Sequence, residues 1–310
     1  MITTTDTLLE SIKRGITLPE ASADLDDAAI LAIADEEIAS LIVPEIIKLR
    51  SEFLVGRSRA DLVSGVSAYE IPYRAVGRRL REICLVDSSG SRRNLRAISP
   101  EESYSFSSTG EPVGFYLESD SVILLPTPGS TGAQLEMSYF VRPSKLVRSD
   151  AVAKIASIDR IAGVVTVQAL PSTMIGVQSF DFIKGKDVHK IRAMDVATSG
   201  FTGMQITVAV ALIPQTLIVG DVIAIAGESH VVPLPDECLP LIAQATQNRL
   251  LEALGDFEAL GAAVAKLDQK ILSMRTLLSI QVEGERAKLS LNNSLLSSRG
   301  SSGRRFNTRW

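Results

Sequence analysis

The sequence predicts an α+β protein in which helical segments at the two ends form a bundle, with a central antiparallel β region and a flexible C-terminal tail. Three observations carry this prediction. Apolar residues recur at steps of three and four before residue 56 and after residue 233, as they do in amphipathic helices. Between these segments, alternating and β-branched runs are bounded by Gly, Pro and Asp, which is typical of short strands. Residues 292–310 are rich in Ser, Gly and Arg.

These patterns divide the 310-residue chain into five segments, and a chain of this length is expected to hold roughly two domains. A composition of 45% hydrophobic and 22% charged residues excludes disorder over most of the chain. The predicted segments are an N-terminal helical segment at 1–56, a first β region at 57–149, a second β region and possible insertion at 150–232, a C-terminal helical segment at 233–291 and a basic tail at 292–310.

The N-terminal segment contains two helical patterns. The first is capped by Thr5 or Asp6 and ends at Gly15. The second runs from Ile30 to Ile42 and meets Pro44, which lacks the amide hydrogen that the interior of an α-helix requires. We expect a kinked or two-part helix here, with Pro44 able to open the second part at its first position.

The central region changes to the period of strands. "LREICLVDSSGSRRNLRAIS" predicts a strand, a turn and a second strand, "GFYLESDSVILLP" predicts a tight hairpin around Ser119 and Asp120, and "AQLEMSYFVRP" predicts a further strand. We expect these strands to form one sheet. A second set, from "AKIASIDRIAGVVTVQALP" to "GDVIAIAGESHVVPLP", predicts a small antiparallel barrel or sandwich.

The C-terminal segment has apolar residues from Leu241 to Leu278 that lie mostly three or four positions apart, which predicts helix. Gly255 and Gly261 interrupt this pattern, and glycine destabilises a helix interior. Two stacked helices and one bent helix are both compatible with the pattern.

No stretch of the chain matches a catalytic or metal-binding constellation. The histidines, His189 and His230, have no Cys, Asp or Glu at a familiar ligand interval, and we expect them at the surface or at strand edges. "GESHV" at 227–231 lacks the final glycine and the strand-to-helix context of a nucleophile elbow, and "KGKD" at 184–187 lacks the upstream glycine of a phosphate loop. We therefore predict no enzymatic activity, no cofactor and no metal.

Charge is distributed unevenly along the chain. The net charge is −4 and the tail at 292–310 carries +4, so residues 1–291 carry −8. An acidic body of this kind is not a general nucleic-acid-binding surface. The basic loop "SSGSRRNLR" could contact phosphates, although such a loop is more often a solvated or intersubunit surface. Two cysteines and an N-terminus without signal-peptide order make a structural disulfide, export and membrane insertion unexpected.

Four stretches resemble the head-to-tail adaptor, or ring, proteins of short-tailed bacteriophages. The resemblance spans roughly residues 30–270 and rests on patterns of Tyr, Pro, Gly and aliphatic residues, in the same order of helices, β region and final helices. The stretches are "YEIPYRAVGRRLREICLV" (Tyr69–Val86), "GFYLESDSVILLPTP" (Gly114–Pro128), "MSYFVRPSKLV" (Met137–Val147) and "VVPLPDECLPLIAQATQNRLLEALGD" (Val231–Asp256).

The resemblance implies a structural role at the head–tail junction of the virion, for a protein made in the host cytoplasm. Adaptors of this family form a ring of twelve subunits beneath the portal, extend the DNA channel that serves packaging and genome ejection, and present a platform to the tail. The expected partners are further copies of the chain, the portal, and a tail nozzle or tube protein. Double-stranded DNA is expected to pass without sequence-specific contact, and no membrane partner is expected.

Two sets of residues are expected to form contacts in such a ring. Arg78, Arg79 and Arg81 are expected to pair with an acidic face of the neighbouring subunit. The tail is expected to anchor on the portal, since arginines bind carboxylates and aromatic side chains fill apolar pockets when a flexible segment orders on binding. The alternative for the tail is a solvated segment without a partner. The expected portal-binding residues are Arg299, Arg304, Arg305, Phe306, Arg309 and Trp310.

The competing interpretation is a tail-tube, baseplate or receptor-binding component that uses the β region to contact another tail protein or a host glycan. Aromatic residues make up only 5% of the chain, which weakens the glycan version because sugar sites use aromatic faces as apolar platforms. A hydrolase with an unrecognised site is a third and minor alternative.

Overall fold

The computed structural model describes residues 4–16, 26–50, 52–106, 109–185 and 191–279. Within these residues the predicted α+β class is confirmed in its mixture of helices and strands, in a barrel and in the C-terminal helices. The predicted tail at 292–310 lies outside the described residues, and so do the six side chains expected to bind the portal: Arg299, Arg304, Arg305, Phe306, Arg309 and Trp310.

Residues 4–16 and 26–50 of the N-terminal part contain three α-helices, and polar side chains cap the first two. Thr4 caps the first helix by accepting a hydrogen bond from the amide of Thr7 at 3.4 Å, so the cap lies one residue before the predicted Thr5 or Asp6. Asp26 caps the second helix in the same way, with 2.7 Å to the amide of Ala29. The helices are α1 (Thr5–Arg14), α2 (Asp27–Glu37) and α3 (Val43–Leu49).

A π-helical turn, Ile38–Ile42, joins α2 to α3. Its wider hydrogen-bond ring is closed by the amide of Val43, which donates to the carbonyl of Ile38 five residues earlier. Pro44 then lies in the first turn of α3, where its missing amide hydrogen is tolerated. At the predicted break near Pro44, the helix therefore changes from α to π and back to α.

Up to residue 279, where the description ends, the C-terminal part contains two α-helices, α4 (Leu239–Leu254) and α5 (Phe257–Leu278). Gly255 separates them in the left-handed conformation, with φ of +75°, and its amide donates to the carbonyl of Glu252 at 3.1 Å. Asp256 caps α5 by accepting from the amide of Ala259 at 3.0 Å. Of the two arrangements that the sequence left open, two helices are present, and Gly261 lies within the second.

Side chains from both helical parts share one apolar core. The core includes residues of all five helices and of the π turn. Side chains of α1, of the run from α2 to α3 and of α4 are fully buried in it: Ile12, Ile30, Ile42, Ile46, Ile242 and Leu250. Burial of about 1.5–3 kcal/mol per large aliphatic side chain makes this shared core the main stabilising contribution to the helices.

The first β region forms two four-stranded sheets, where the sequence analysis expected one. The sheet orders are β1–β10–β3–β4 and β2–β8–β7–β5, and β6 pairs with β9. Apolar side chains of the two sheets meet in one core, because each sheet has an apolar face to bury. The strands are β1 (Val55–Asp61), β2 (Ala68–Glu70), β3 (Ala75–Val86), β4 (Arg92–Asn94), β5 (Arg96–Ala97), β6 (Thr109–Gly110), β7 (Gly114–Glu118), β8 (Ser121–Leu125), β9 (Thr127–Pro128) and β10 (Gln134–Val141).

The second β region contains a closed six-stranded barrel in the order β12–β13–β16–β15–β14–β17. Phe180 and Phe182 of β14 are 1% exposed and fill its interior together with aliphatic side chains from the other strands. The strands are β11 (Lys145–Leu146), β12 (Ala153–Asp159), β13 (Val164–Val167), β14 (Ser179–Ile183), β15 (Ile191–Thr202), β16 (Gln205–Val208), β17 (Val222–Ile225) and β18 (Glu228–Ser229). Of the predicted alternatives for this region, the barrel is present.

Three short strand pairs depart from the predicted antiparallel region. The pairs β5–β7, β6–β9 and β11–β18 are parallel, and each joins only two residues on either side. The β5–β7 pair adds β5 to a four-stranded sheet, whereas the other two pairs form two-stranded sheets of their own. The predicted boundaries of the five segments stay predictions.

No helix in the described part of the chain is both long and apolar enough to cross a membrane.

Candidate functional site

The three arginines expected at a subunit interface lie on β3, where the strand is irregular. Gly77 and Arg78 both have positive φ, of 58° and 55°, and the pairing of β3 with β10 shifts register on this stretch. Arg78 turns back onto its own subunit and donates to the carbonyl of Ile71 at 2.8 Å and to Asp120 at 3.4 Å. It therefore does not share the environment of the other two.

We call the two four-stranded sheets of the first β region the sandwich, and Arg79 and Arg81 project from the face of their sheet that points away from the sandwich core. Leu80 packs against that core, and side chains alternate between the two faces of a strand. Both arginines are exposed, and neither forms an ion pair or side-chain hydrogen bond with a described residue. These two guanidinium groups are available to a partner.

Further arginines lie on the same outer face. On β10, Leu135, Met137 and Tyr139 point to the core, so Glu136 and Ser138 point outward. The carboxylate of Glu136 is 2% exposed and accepts from Nε of Arg59 at 2.8 Å and from a terminal nitrogen of Arg92 at 3.1 Å. We call this surface the arginine face, defined by the guanidinium groups of Arg57, Arg59, Arg79, Arg81 and Arg92.

The arginine face is positively charged. Its five guanidinium groups are opposed by three carboxylates on the same face, those of Asp61, Glu82 and Glu136, and the charge of Glu52 acts on Arg81. Arg59 and Arg92 keep 49% and 43% of their side chains exposed after pairing with Glu136, and Arg57 pairs with no described residue. A surface of this composition attracts an acidic partner.

Sequence analysis missed Arg57 and Arg59 as members of this face. The signal was present, because "VGRSRAD" places them two residues apart, as on one side of a strand. Arg92 lies in the basic loop "SSGSRRNLR", for which an intersubunit surface was one interpretation, but only the β3–β4 pairing brings it across to Glu136.

A second cluster, which sequence analysis also missed, joins the sandwich to the barrel. Arg74, 4% exposed, lies just before β3 and donates to both oxygens of Asp181 in β14 at 2.9 and 2.7 Å and to Asp195 in β15 at 2.8 Å. Its Nε donates to the hydroxyl of Tyr73 at 3.1 Å, and that hydroxyl bonds in turn to Asp195. The available signal was the acidic residue within the apolar strand "SFDFI".

Asp181 is fully buried, so its carboxylate depends on hydrogen bonds from neighbouring groups in place of water. Besides Arg74, it accepts from the backbone amides of Asp195 at 2.9 Å and Gly227 at 3.1 Å. Burial raises the pKa of Asp181, while the charge of Arg74 and the backbone donors oppose that rise. The cluster therefore fixes the barrel on the sandwich through a charged contact with many hydrogen bonds.

A carboxyl group of shifted pKa ties α2 to the segment that leads into the barrel. Both oxygens of Asp35 accept from the amide of Leu146, at 3.0 and 3.1 Å. Burial raises the pKa of Asp35 to about 7 from an ordinary value of 3.8, and the amide of Leu146 and the charge of Lys145 only partly oppose this.

A cavity of about 360 Å³ lies at the beginning of β1. Most of its wall is apolar and Arg142 contributes a charged group; the apolar side chains include those of Phe53, Val55, Pro143, Ile191 and Met194. The cavity therefore has room for an apolar or aromatic group next to a positive charge.

Exposed aliphatic side chains cluster at the barrel. The turn between β12 and β13 is tied to the segment before β17, since Arg160 donates to the carbonyl of Leu217 at 2.6 Å and the amide of Val208 donates to Gly163 at 2.8 Å. Exposed side chains from these two segments are Ile161, Val210, Leu212, Ile218 and Val219. Clusters of this kind often mark contacts with another protein.

One of the two histidines lies within the described residues. His230 is half-buried directly after β18, where burial lowers its pKa and its carbonyl accepts the amide of Thr5 at 2.8 Å. His189 lies outside the described residues. Within the described ranges, no group of three or more His, Cys, Asp or Glu residues is arranged to hold a metal ion. Cys84 and Cys238 are both buried and free.

A comparison of the chain with curated proteins gives no match. The family described as SU10 adaptor protein matches residues 3–170, which is more than half of the 310 residues. The matched range holds α1 to α3, the whole sandwich with the arginine face, and the first two barrel strands. The chain therefore belongs to the SU10 adaptor protein family, in agreement with the resemblance to phage head-to-tail adaptors.

Proposed function

We propose that this chain is the subunit of an adaptor ring that links the phage portal to the tail and extends the DNA channel. Membership of the SU10 adaptor protein family supports the general class, a structural component of the virion. The proposal of a ring rests on the arginine face. Three of its guanidinium groups, those of Arg57, Arg79 and Arg81, have no ion-pair partner among the described residues. An acidic surface on another protein subunit satisfies them.

A ring meets this requirement with one kind of contact. When two different patches of the same chain meet, the contact repeats from subunit to subunit and closes if the rotation fits. Arg79 and Arg81 then contact the neighbouring subunit, whereas Arg78 holds its own loop against Asp120. The number of subunits implied by the resemblance is twelve.

The charge of the chain suits a DNA channel. Residues 1–291 carry −8, and a channel wall that bound phosphates strongly would retain DNA by releasing counterions. A neutral or negative lumen lets double-stranded DNA pass in packaging and ejection without sequence-specific contacts. The role is structural, without catalysis, and its site is the head–tail junction of a virion assembled in the host cytoplasm.

The basic tail is the proposed anchor on the portal. Its four arginines and its two aromatic residues offer charge-assisted hydrogen bonds and large apolar surfaces in one short segment. The corresponding portal surface is acidic with apolar pockets, and the tail nozzle or tube protein binds elsewhere on the ring.

A second candidate function is a tail-tube, baseplate or receptor-binding component that uses the barrel. The exposed aliphatic cluster around Ile161 favours this alternative, because it offers an apolar contact surface away from the arginine face. The two functions differ in where the protein lies in the virion.

The test is assembly of the full chain with purified portal, followed by light scattering and electron-microscopic class averages. A ring between portal and tail is expected, and Arg79→Glu with Arg81→Glu is expected to prevent ring closure because it reverses two charges of the contact. Arg96→Glu is the matched control, since Arg96 is exposed on β5 of the other sheet.

Absence of any portal complex would contradict the adaptor function, and glycan binding without a portal complex would favour the second candidate. A complete ring from the doubly reversed variant would remove the arginine face from the contact while leaving the adaptor function in place.

A further inference from the structure

An exposed aromatic residue lies on a short 3₁₀ helix, Pro100–Ser105. Tyr104 is 93% exposed, which makes it the most exposed aromatic side chain of the described residues. The hydroxyls of Ser103 and Ser105 each donate to a backbone carbonyl of the same helix at 2.6 Å. Tyr104 projects into solvent from this hydrogen-bonded turn.

The same helix is acidic. Glu101 and Glu102 are exposed in its first turn and form no ion pair with a described residue. In a 3₁₀ helix, side chains three positions apart lie above one another, so Glu101 and Tyr104 project from one side. The helix presents an aromatic ring and a carboxylate together.

The cavity at the beginning of β1 has the complementary properties. Its volume of about 360 Å³ is at the lower end of the range of about 300–1,000 Å³ for ligand pockets, which suits one large side chain. Its wall is mostly apolar and includes Arg142. Arg57 follows Val55 on the same side of β1, about 7 Å further along the strand.

We propose that Tyr104 of one subunit inserts into this cavity on the next subunit, with Glu101 and Glu102 facing Arg142 and Arg57. This inference rests on the proposed ring and names the two patches that meet in it. The donor helix and the acceptor cavity are different parts of the chain, so the contact is head to tail and repeats around a ring.

The energetics favour this pair of patches. A buried aromatic anchor in a central pocket is the commonest strong contributor to protein interfaces, and Tyr loses little side-chain freedom when it binds. The opposite charges orient the two surfaces during encounter and disfavour other alignments. Within one copy the ring of Tyr104 stays exposed and fills no cavity.

The first measurement uses the full chain with portal and compares Tyr104→Ala with Ile161→Ala. Ile161 is 94% exposed on the barrel, so it matches Tyr104 in accessibility. Tyr104→Ala is expected to weaken association between subunits at least tenfold in sedimentation experiments, and Ile161→Ala is expected to leave it unchanged. Charge reversal by Glu101→Arg with Glu102→Arg is expected to weaken association, and Arg57→Glu with Arg142→Glu on the partner to restore part of it.

The second measurement is disulfide cross-linking between two variants, Tyr104→Cys and Met194→Cys, of which Met194 lines the cavity. Their mixture is expected to yield cross-linked dimers, whereas Ile161→Cys mixed with Met194→Cys is not. The native cysteines, Cys84 and Cys238, are buried and should not compete.

The outcomes separate this contact from the adaptor function. A portal-bound ring without the cross-link, and with normal assembly of Tyr104→Ala, overturns the contact but leaves the function. A cross-link without any portal-bound ring supports the contact and counts against the function. Absence of both ring and cross-link overturns both.

Discussion

Replacement of Arg74 by Met tests whether the buried cluster holds the barrel on the sandwich. The substitution keeps an unbranched apolar stem but removes a guanidinium that is 4% exposed and bonds to Asp181 and Asp195. Asp181, which is fully buried, then loses its counter-charge and keeps only two backbone donors.

The expected cost follows from that uncompensated charge. Removing one partner of a buried ion pair typically costs about 3–5 kcal/mol, a large part of the roughly 5–15 kcal/mol by which a folded domain is stable. Combining Arg74→Met with Asp181→Asn is expected to cost less than the two single changes added together, because the buried charge is then absent and Asn still accepts one amide hydrogen bond. The expected coupling is on the order of 1–3 kcal/mol.

The assay is urea unfolding followed by circular dichroism, with Arg96→Met as the control. Because Arg96 is exposed and forms no ion pair with a described residue, its replacement should change the free energy of unfolding by no more than about 0.5 kcal/mol. A cost below about 1 kcal/mol for Arg74→Met, or additive costs in the double variant, would refute the structural role given to this cluster.

Three further predictions concern the pH dependence, the tail and the barrel. The pKa of Asp35, about 7 in the fold and 3.8 ordinarily, makes the folded state bind more protons between these values, so stability should fall as pH rises from about 4 to 7; Asp35→Asn, which can still accept from Leu146, should flatten that slope in thermal melts. Truncation after Leu291 should leave the melting temperature nearly unchanged and weaken portal binding at least tenfold, or about 1.4 kcal/mol, in a direct binding titration, and unchanged affinity would contradict the anchor. Replacing 153–225 by a short linker, together with Arg74→Met to avoid an orphaned guanidinium, should spare portal binding and reduce tail binding in cross-linking yields; equal loss of both from a folded variant would contradict a tail-facing barrel.

Features with a local cause could be predicted from the sequence. The hairpin around Ser119 and Asp120 follows from a short polar turn between two apolar runs, and the structure has β7 and β8 on either side of it. Gly255 ends α4 because glycine adopts the left-handed conformation at little cost. In both cases residues within a few positions determine the backbone.

Features that depend on distant partners could not be predicted in this way. The division of the first strands into two sheets depends on pairings such as that of β10 with both β1 and β3. Arg74 and Asp181 are 107 positions apart, and nothing near either residue identifies the other. Arg78, Arg79 and Arg81 were named as intersubunit residues, which stays a prediction. The arginine face that Arg79 and Arg81 share with Arg59 and Arg92 forms only when the strands pair.

The π turn between α2 and α3 has a consequence for the spacing of the residues that α2 and α3 bury. The buried side chains Ile30, Ala34, Ile38, Ile42 and Ile46 are four residues apart, and on a regular α-helix each such step overshoots one turn by about 40°, about 160° in all. The π turn holds one residue more than an α-helical turn, and this extra residue offsets about 100° of the roughly 160° rotation. Ile30 and Ile46 therefore both reach the same core. The turn is therefore equivalent to a single inserted residue. A chain that lacks Ser40 and carries Pro44→Ala should form an unbroken α-helix over the same core. Loss of Ser40 alone should leave the proline inside that helix at a cost of about 3 kcal/mol.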